Sequence, residues 1–67
     1  MMTLLINGSP QQFESPLTLG QLLNTLQMAG KRIAVEKNGE IVPRSLHETT
    51  HLADGDALEI VVAVGGG

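Results

Sequence analysis

Thr18-Leu19-Gly20-Gln21-Leu22-Leu23-Asn24-Thr25-Leu26-Gln27-Met28-Ala29-Gly30 carries the helical periodicity of this chain, and its reading decides the fold. Leu19, Leu22, Leu23 and Leu26 recur at i, i+3, i+4 and i+7, which gathers them on one helical face. Thr18 with Gln21 three residues on fits a capping box, in which each side chain closes a free backbone N–H of the other. Gly30 is the expected C′ residue, because glycine takes the left-handed conformation without a Cβ clash. Gly20 runs against the pattern and weakens the first turn by about 1 kcal/mol relative to alanine.

Outward from the helix, the flanks read as strands. Upstream, residues 2–7 form a short apolar run ending in Asn7-Gly8, a pair that supplies the positive φ angles of a tight hairpin. Residues 11–14 are expected as the return strand, closed by Ser15-Pro16. Downstream, residues 33–36 alternate as a half-buried strand. Asn38-Gly39 makes a second turn, and residues 40–42 a short strand that Pro43 stops. Residues 44–53 are polar and irregular, with room for one helical turn. Asp54-Gly55-Asp56 is a turn, and residues 57–64 are the longest strand. The order β-β-α-β-β-β predicts an α+β fold, one helix across one sheet.

The sheet is expected to be one-sided. Leu58, Ile60, Val62 and Val64 alternate inward, and Glu59 marks the opposite face. By the same alternation Leu5, Ala34, Val61 and Ala63 face out. Four apolar residues on neighbouring strands are expected to form a contiguous patch, and such patches mark partner surfaces.

A chain of 67 residues is one domain. It buries only about 60% of its unfolded surface, which leaves little interior for an enclosed active site. Cysteine is absent, so disulfides, thiolate ligands and a Cys nucleophile are excluded together. The net charge is −3, with Lys31, Arg32, Lys37 and Arg44 the only Lys and Arg, and Phe13 is the one aromatic. Neither a basic patch nor a stacking platform for nucleic acid is offered. No apolar run reaches the roughly 18 residues of a membrane span, and the first residues lack the charged region of a signal peptide. The expectation is a soluble cytoplasmic domain.

His47-Glu48-Thr49-Thr50-His51 matches H-E-x-x-H, a zinc motif that works only on a helix. The β-branched Thr49-Thr50 pair is a poor helix former, and a catalytic zinc needs a third protein ligand and a cleft. The segment is therefore expected to be a solvated loop without metal. Ser9, Ser15 and Ser45 sit in turns or loops with no paired base, so no nucleophilic triad is offered. Gly65-Gly66-Gly67 follows a strand with no helix after it, so it is not a phosphate cradle. Without Cβ atoms these residues can thread a narrow channel. A terminal carboxylate, with a pKa of about 3.5, is ionised at neutral pH and can attack the α-phosphate of ATP. The acyl adenylate so formed can accept a sulfur nucleophile.

Several stretches together carry a resemblance. They are the opening strand ending in Asn7-Gly8, the helix start at Thr18, and Ile33-Ala34-Val35-Glu36. With them go Asn38-Gly39-Glu40-Ile41-Val42-Pro43-Arg44, Leu52-Ala53-Asp54-Gly55-Asp56 and Val62-Ala63-Val64-Gly65-Gly66-Gly67. On these the chain resembles the ThiS sulfur carriers of thiamine biosynthesis, members of the ubiquitin-like β-grasp family. The resemblance implies a mixed sheet of four to five strands with the helix across one face. It implies a β-grasp domain over residues 1–64 and a flexible glycine tail over 65–67. It also implies a non-enzymatic role: Gly67 is adenylated by an E1-like adenylyltransferase that uses ATP, and the carrier itself binds no cofactor. Gly65 and Gly66 thread the tail into the partner. Sulfur from a cysteine desulfurase, passed as a persulfide, then makes a thiocarboxylate that thiazole synthase consumes. Two alternatives stay open: a sulfur carrier for molybdopterin synthesis, usually longer and richer in aromatics, and a β-grasp module that only binds.

Overall fold

Helix α1 spans Leu19–Thr25 and buries Leu19, Leu22 and Leu23. The capping box is present in full: Gln21 N–H donates to Thr18 Oγ1 at 3.2 Å, and Thr18 N–H donates to Gln21 Oε1 at 2.9 Å. At the other end the sequence expectation fails. The left-handed C′ residue is Gln27, with φ 60°, not Gly30. Gln27 N–H donates to Asn24 O and Met28 N–H to Leu23 O, the paired bonds of a Schellman motif. Closing it drops Met28 onto the core, and that apolar contact ends the helix before the glycine is reached. Gly30, φ 84°, serves the turn into the next strand.

The computed structural model describes residues 1–63. Its strands are β1 (Met2–Ile6), β2 (Ser9–Phe13), β3 (Ile33–Lys37), β4 (Glu40–Ile41) and β5 (Ala57–Val62), with a 3-10 turn at Arg44–Leu46. The expected boundary at residue 64 and the tail at 65–67 lie outside the described residues. The sheet runs β2-β1-β5-β3-β4, with β5 central, parallel to β1 and antiparallel to β3. One helix across a five-stranded mixed sheet is the β-grasp arrangement.

Both Asn-Gly turns form as expected. Asn7 and Gly8 have φ 50° and 83°, and Asn38 and Gly39 have 52° and 86°, the signs of type I′ hairpins. A two-residue turn brings Ser9 opposite Ile6, so β2 starts at Ser9 rather than Gln11. Leu4, Leu19, Leu22, Val35 and Leu58 form the innermost core. Ile60 is buried, but Val62, expected inward, is 41% exposed. Its pairing with Ile33 puts it on the helix side, beyond the end of the core.

The Asp54-Gly55-Asp56 turn joins the sheet at two points. Asp54 Oδ1 accepts from Thr3 N–H at 2.7 Å and so lengthens the β1–β5 ladder. Asp56 accepts from Asn38 Nδ2 and from Ala53 N–H, fixing the second hairpin turn against the base of β5.

Candidate functional site

β5 is the strand that leads toward Gly65, Gly66 and Gly67, and it is secured as far as Ile60 on its β1 edge and as far as Ala63 on its β3 edge. Past the end of β1, the Asn7 carboxamide takes the place of a strand residue. Its oxygen accepts from Ile60 N–H at 2.7 Å, and its Nδ2 donates to Ile60 O at 3.1 Å. On the opposite edge β3 pairs with β5 from Lys37–Leu58 to Ile33–Val62, and Ala63 N–H donates to Arg32 O at 2.8 Å. Gly65, Gly66 and Gly67, the residues read as carrying the chemistry, lie outside the described residues.

The outer sheet face presents the residues read as docking positions. Val61 is 60% exposed, Leu5 is 38% exposed, and Ala34 and Ala63 are also exposed. Ala34 lies directly opposite Val61, and Ala63 is the next residue on that face. Leu5 is not beside them. The parallel register sets it opposite Ala57, four residues before Val61, or about 13 Å along the strand. Glu59 stands between, opposite Glu36. The expected single patch is therefore an Ala34–Val61–Ala63 group with Leu5 separate. Alternation determines faces but not the offset between strands, which here follows from Leu5 N–H donating to Asp56 O.

On the helix side, a cleft of about 140 Å³ lies between the end of α1 and the 3-10 turn. Leu23, Met28 and Ile33 line it, with Lys31, Arg44 and Glu48 at its rim. Arg44 Nη2 donates to Lys31 O at 3.0 Å and holds the two segments together.

The His47–His51 segment is a turn, not a helix, and Glu48, Thr49 and His51 are exposed as expected of a solvated loop, but His47 is not. His47 is only 7% exposed, with Nε2 3.1 Å from Val42 O. That carbonyl can only accept, so Nε2 is the nitrogen bearing the hydrogen. The segment closes the start of α1: Gly20 N–H donates to His47 O at 2.9 Å and Leu19 N–H to Thr50 O at 2.8 Å. His51 is exposed and bridges to Thr18. A Cβ on Gly20 would lie 2.7 Å from Glu48 Oε1, the end of a side chain free to swing aside, so the glycine leaves room for that carboxylate against the first turn. Among the described residues, no three His, Asp or Glu are grouped to hold a metal ion, and no helix is long and apolar enough to cross a membrane.

The pKa of Asp56 is lowered. Burial pushes it upward, but the Asn38 and Ala53 hydrogen bonds and the Lys37 charge outweigh burial and hold it below its usual 3.8.

Comparison with known proteins agrees in sequence and in fold. The ThiS family model matches residues 4–67. The sulfur carrier protein ThiS of Bacillus subtilis is 35% identical over 63 residues, 92% of this chain and 96% of that protein. A thiazole synthase of Paramagnetospirillum magneticum is 44% identical over 66 residues, 98% of this chain, and the chain spans only 20% of that protein's length. A crystal structure of a thiamine biosynthesis protein (ThiS) from Geobacter metallireducens superposes with a TM-score of 0.83 at 36% identity, covering 98% of this chain and 100% of that one. With the β-grasp sheet described above and a match over nearly every residue, the chain belongs to the ThiS family.

Proposed function

We propose that this chain carries sulfur for thiazole formation in thiamine biosynthesis, with the Gly67 carboxylate as the carrying group. On an E1-like adenylyltransferase the carboxylate attacks the α-phosphate of ATP and pyrophosphate leaves. The terminal sulfur of a persulfide supplied by a cysteine desulfurase displaces AMP to give an acyl disulfide, and a second thiol attacks the persulfide's inner sulfur, forming a disulfide with it and releasing the thiocarboxylate. Thiazole synthase then draws on that sulfur. The chain acts in the cytoplasm as a co-substrate and binds no cofactor itself. Glycines offer no side chains to read, so recognition falls to the folded body, at Ala34, Val61 and Ala63 with Leu5 at a distance.

The observation that carries this reading is the family match, which runs through Gly67. Similarity to a segment of a thiazole synthase supports that enzyme as the consumer of the sulfur. The test has two arms. Protein taken from cells making thiamine should show a mass increase of about 16 Da that alkylation captures, whereas methionine sulfoxide gives the same increase and is not captured. Deleting Gly67 should abolish ATP–pyrophosphate exchange with the adenylyltransferase while the circular dichroism is unchanged. Undiminished exchange by the deletion would refute the proposal.

A further inference from the structure

The outer sheet face carries its charges in a fixed order along β5. Ala34 faces out opposite Val61, so alternation puts Arg32 on the same face beside Ala63, to which its carbonyl is bonded. Lys31 and Arg44 stand on the helix side of the same end, at the rim of the cleft that also holds Glu48. Three of the chain's four Lys and Arg thus surround the end of β5, in a chain of net charge −3. Next along the face comes the apolar pair Ala34 and Val61. Beyond it Glu36 and Glu59 lie directly opposite each other, both exposed. Among the described residues the one salt bridge is Lys37–Asp56, 4.0 Å long, so none of these residues pairs with Arg32, Glu36 or Glu59.

Like charges directly opposite on a sheet destabilise it. A lysine at either glutamate would turn repulsion into attraction with no change in the core. The Glu36–Glu59 pair therefore works against the isolated fold, and it is compensated only by positive charge brought from outside.

We propose that this face docks on a protein surface whose charges run in the complementary order. That surface is acidic around the mouth that receives the residues after Ala63, apolar in the middle, and basic about 13 Å away where Glu36 and Glu59 land. The inference rests on the carrier reading and names the charge pattern of the activating enzyme's docking face. A reversed approach would set Arg32 against basic and the glutamates against acidic groups, a juxtaposition that suppresses binding. The order of charge thus selects the one orientation in which the end of β5 points at the reaction centre.

The test measures the KM for the carrier in ATP–pyrophosphate exchange with the E1-like adenylyltransferase, at low salt and at about 0.5 M salt, where surface charge is screened. Glu59→Lys should melt at a higher temperature than the parent chain and yet raise KM by about tenfold. Arg32→Glu should raise KM to a similar extent with kcat little changed, and Arg32→Lys should restore the parent value. High salt should raise the parent KM and shrink these differences. If Glu59→Lys fails to fold, Glu36→Lys carries the same expectation. Parent-like KM for both charge reversals, or a parent KM indifferent to salt, overturns this inference and leaves the carrier reading intact. Absence of exchange with the parent chain overturns both.

Discussion

Asn7 holds the end of β5, and replacing it separates two contributions. Its side chain makes two hydrogen bonds to Ile60, and its backbone sits at φ 50°. Each bond is worth about 0.5–1.5 kcal/mol net, so losing both costs roughly 1–3 kcal/mol. The left-handed backbone costs alanine about 1–2 kcal/mol, whereas glycine adopts it freely and asparagine is helped into it by local hydrogen bonding of its short polar side chain. Asn7→Gly should therefore lose about 2 kcal/mol, and Asn7→Ala about 3 kcal/mol or more. Asn7→Asp keeps the acceptor for Ile60 N–H but sets an oxygen against Ile60 O, and should lose about 1–2 kcal/mol. For a domain of this size each kcal/mol lowers Tm by roughly 4–8 °C. Urea midpoints for the three variants are the assay. If Asn7→Gly matches the parent, the side-chain bonds contribute nothing and the account of how β5 is anchored is wrong.

Two further outcomes follow from side chains turned inward. His47→Ala should cost about 2 kcal/mol, because a buried ring and its bond to Val42 O are lost, while His51→Ala at the exposed end should stay within about 0.5 kcal/mol; equal urea midpoints would contradict the burial. Asp56 has a folded pKa below 3.8, so the unfolded chain binds its proton more readily, and the stabilisation is present above that value and lost as pH falls through the lower folded value. Asp56→Ala should lower stability at pH 7 by about 2 kcal/mol and flatten the acid limb, and a parent-like slope in pH-dependent unfolding would count against it.

Features set by nearest neighbours were legible in the sequence. The type I′ turns depend on the sterics of Asn7-Gly8 and Asn38-Gly39 alone, and the Thr18–Gln21 box closes within one turn. Alternation gave the outward sense of Leu5, Ala34, Val61 and Ala63. What depended on distant partners was not legible. Gln27 takes the left-handed position because Met28 packs on the core, which no local propensity records. The polar run around His47 has no periodicity to betray burial, and its position follows from the open N–H groups of α1. Leu5 parted from Val61 because the β1–β5 offset is decided between segments at opposite ends of the chain, as are the Asn7–Ile60 bonds, whose residues are 53 apart. The charge order on the outer face was hidden for the same reason, since Glu36 and Glu59 are opposed only once β3 and β5 are in register.

Because β1 and β5 run side by side in the same direction, the sheet has a distinctive mechanical behaviour. Tension between the Met2 end of β1 and the Val62 end of β5 slides the two strands lengthwise past each other. The bonds at Thr3, Leu5 and Asn7 then bear the load together, along with the Asn7 grip on Ile60. An antiparallel hairpin pulled at its open end would instead unzip one bond at a time. A partner that draws hard on the chain beyond Ala63 therefore pulls against a lap joint, and the body of the domain stays whole while its end is handled.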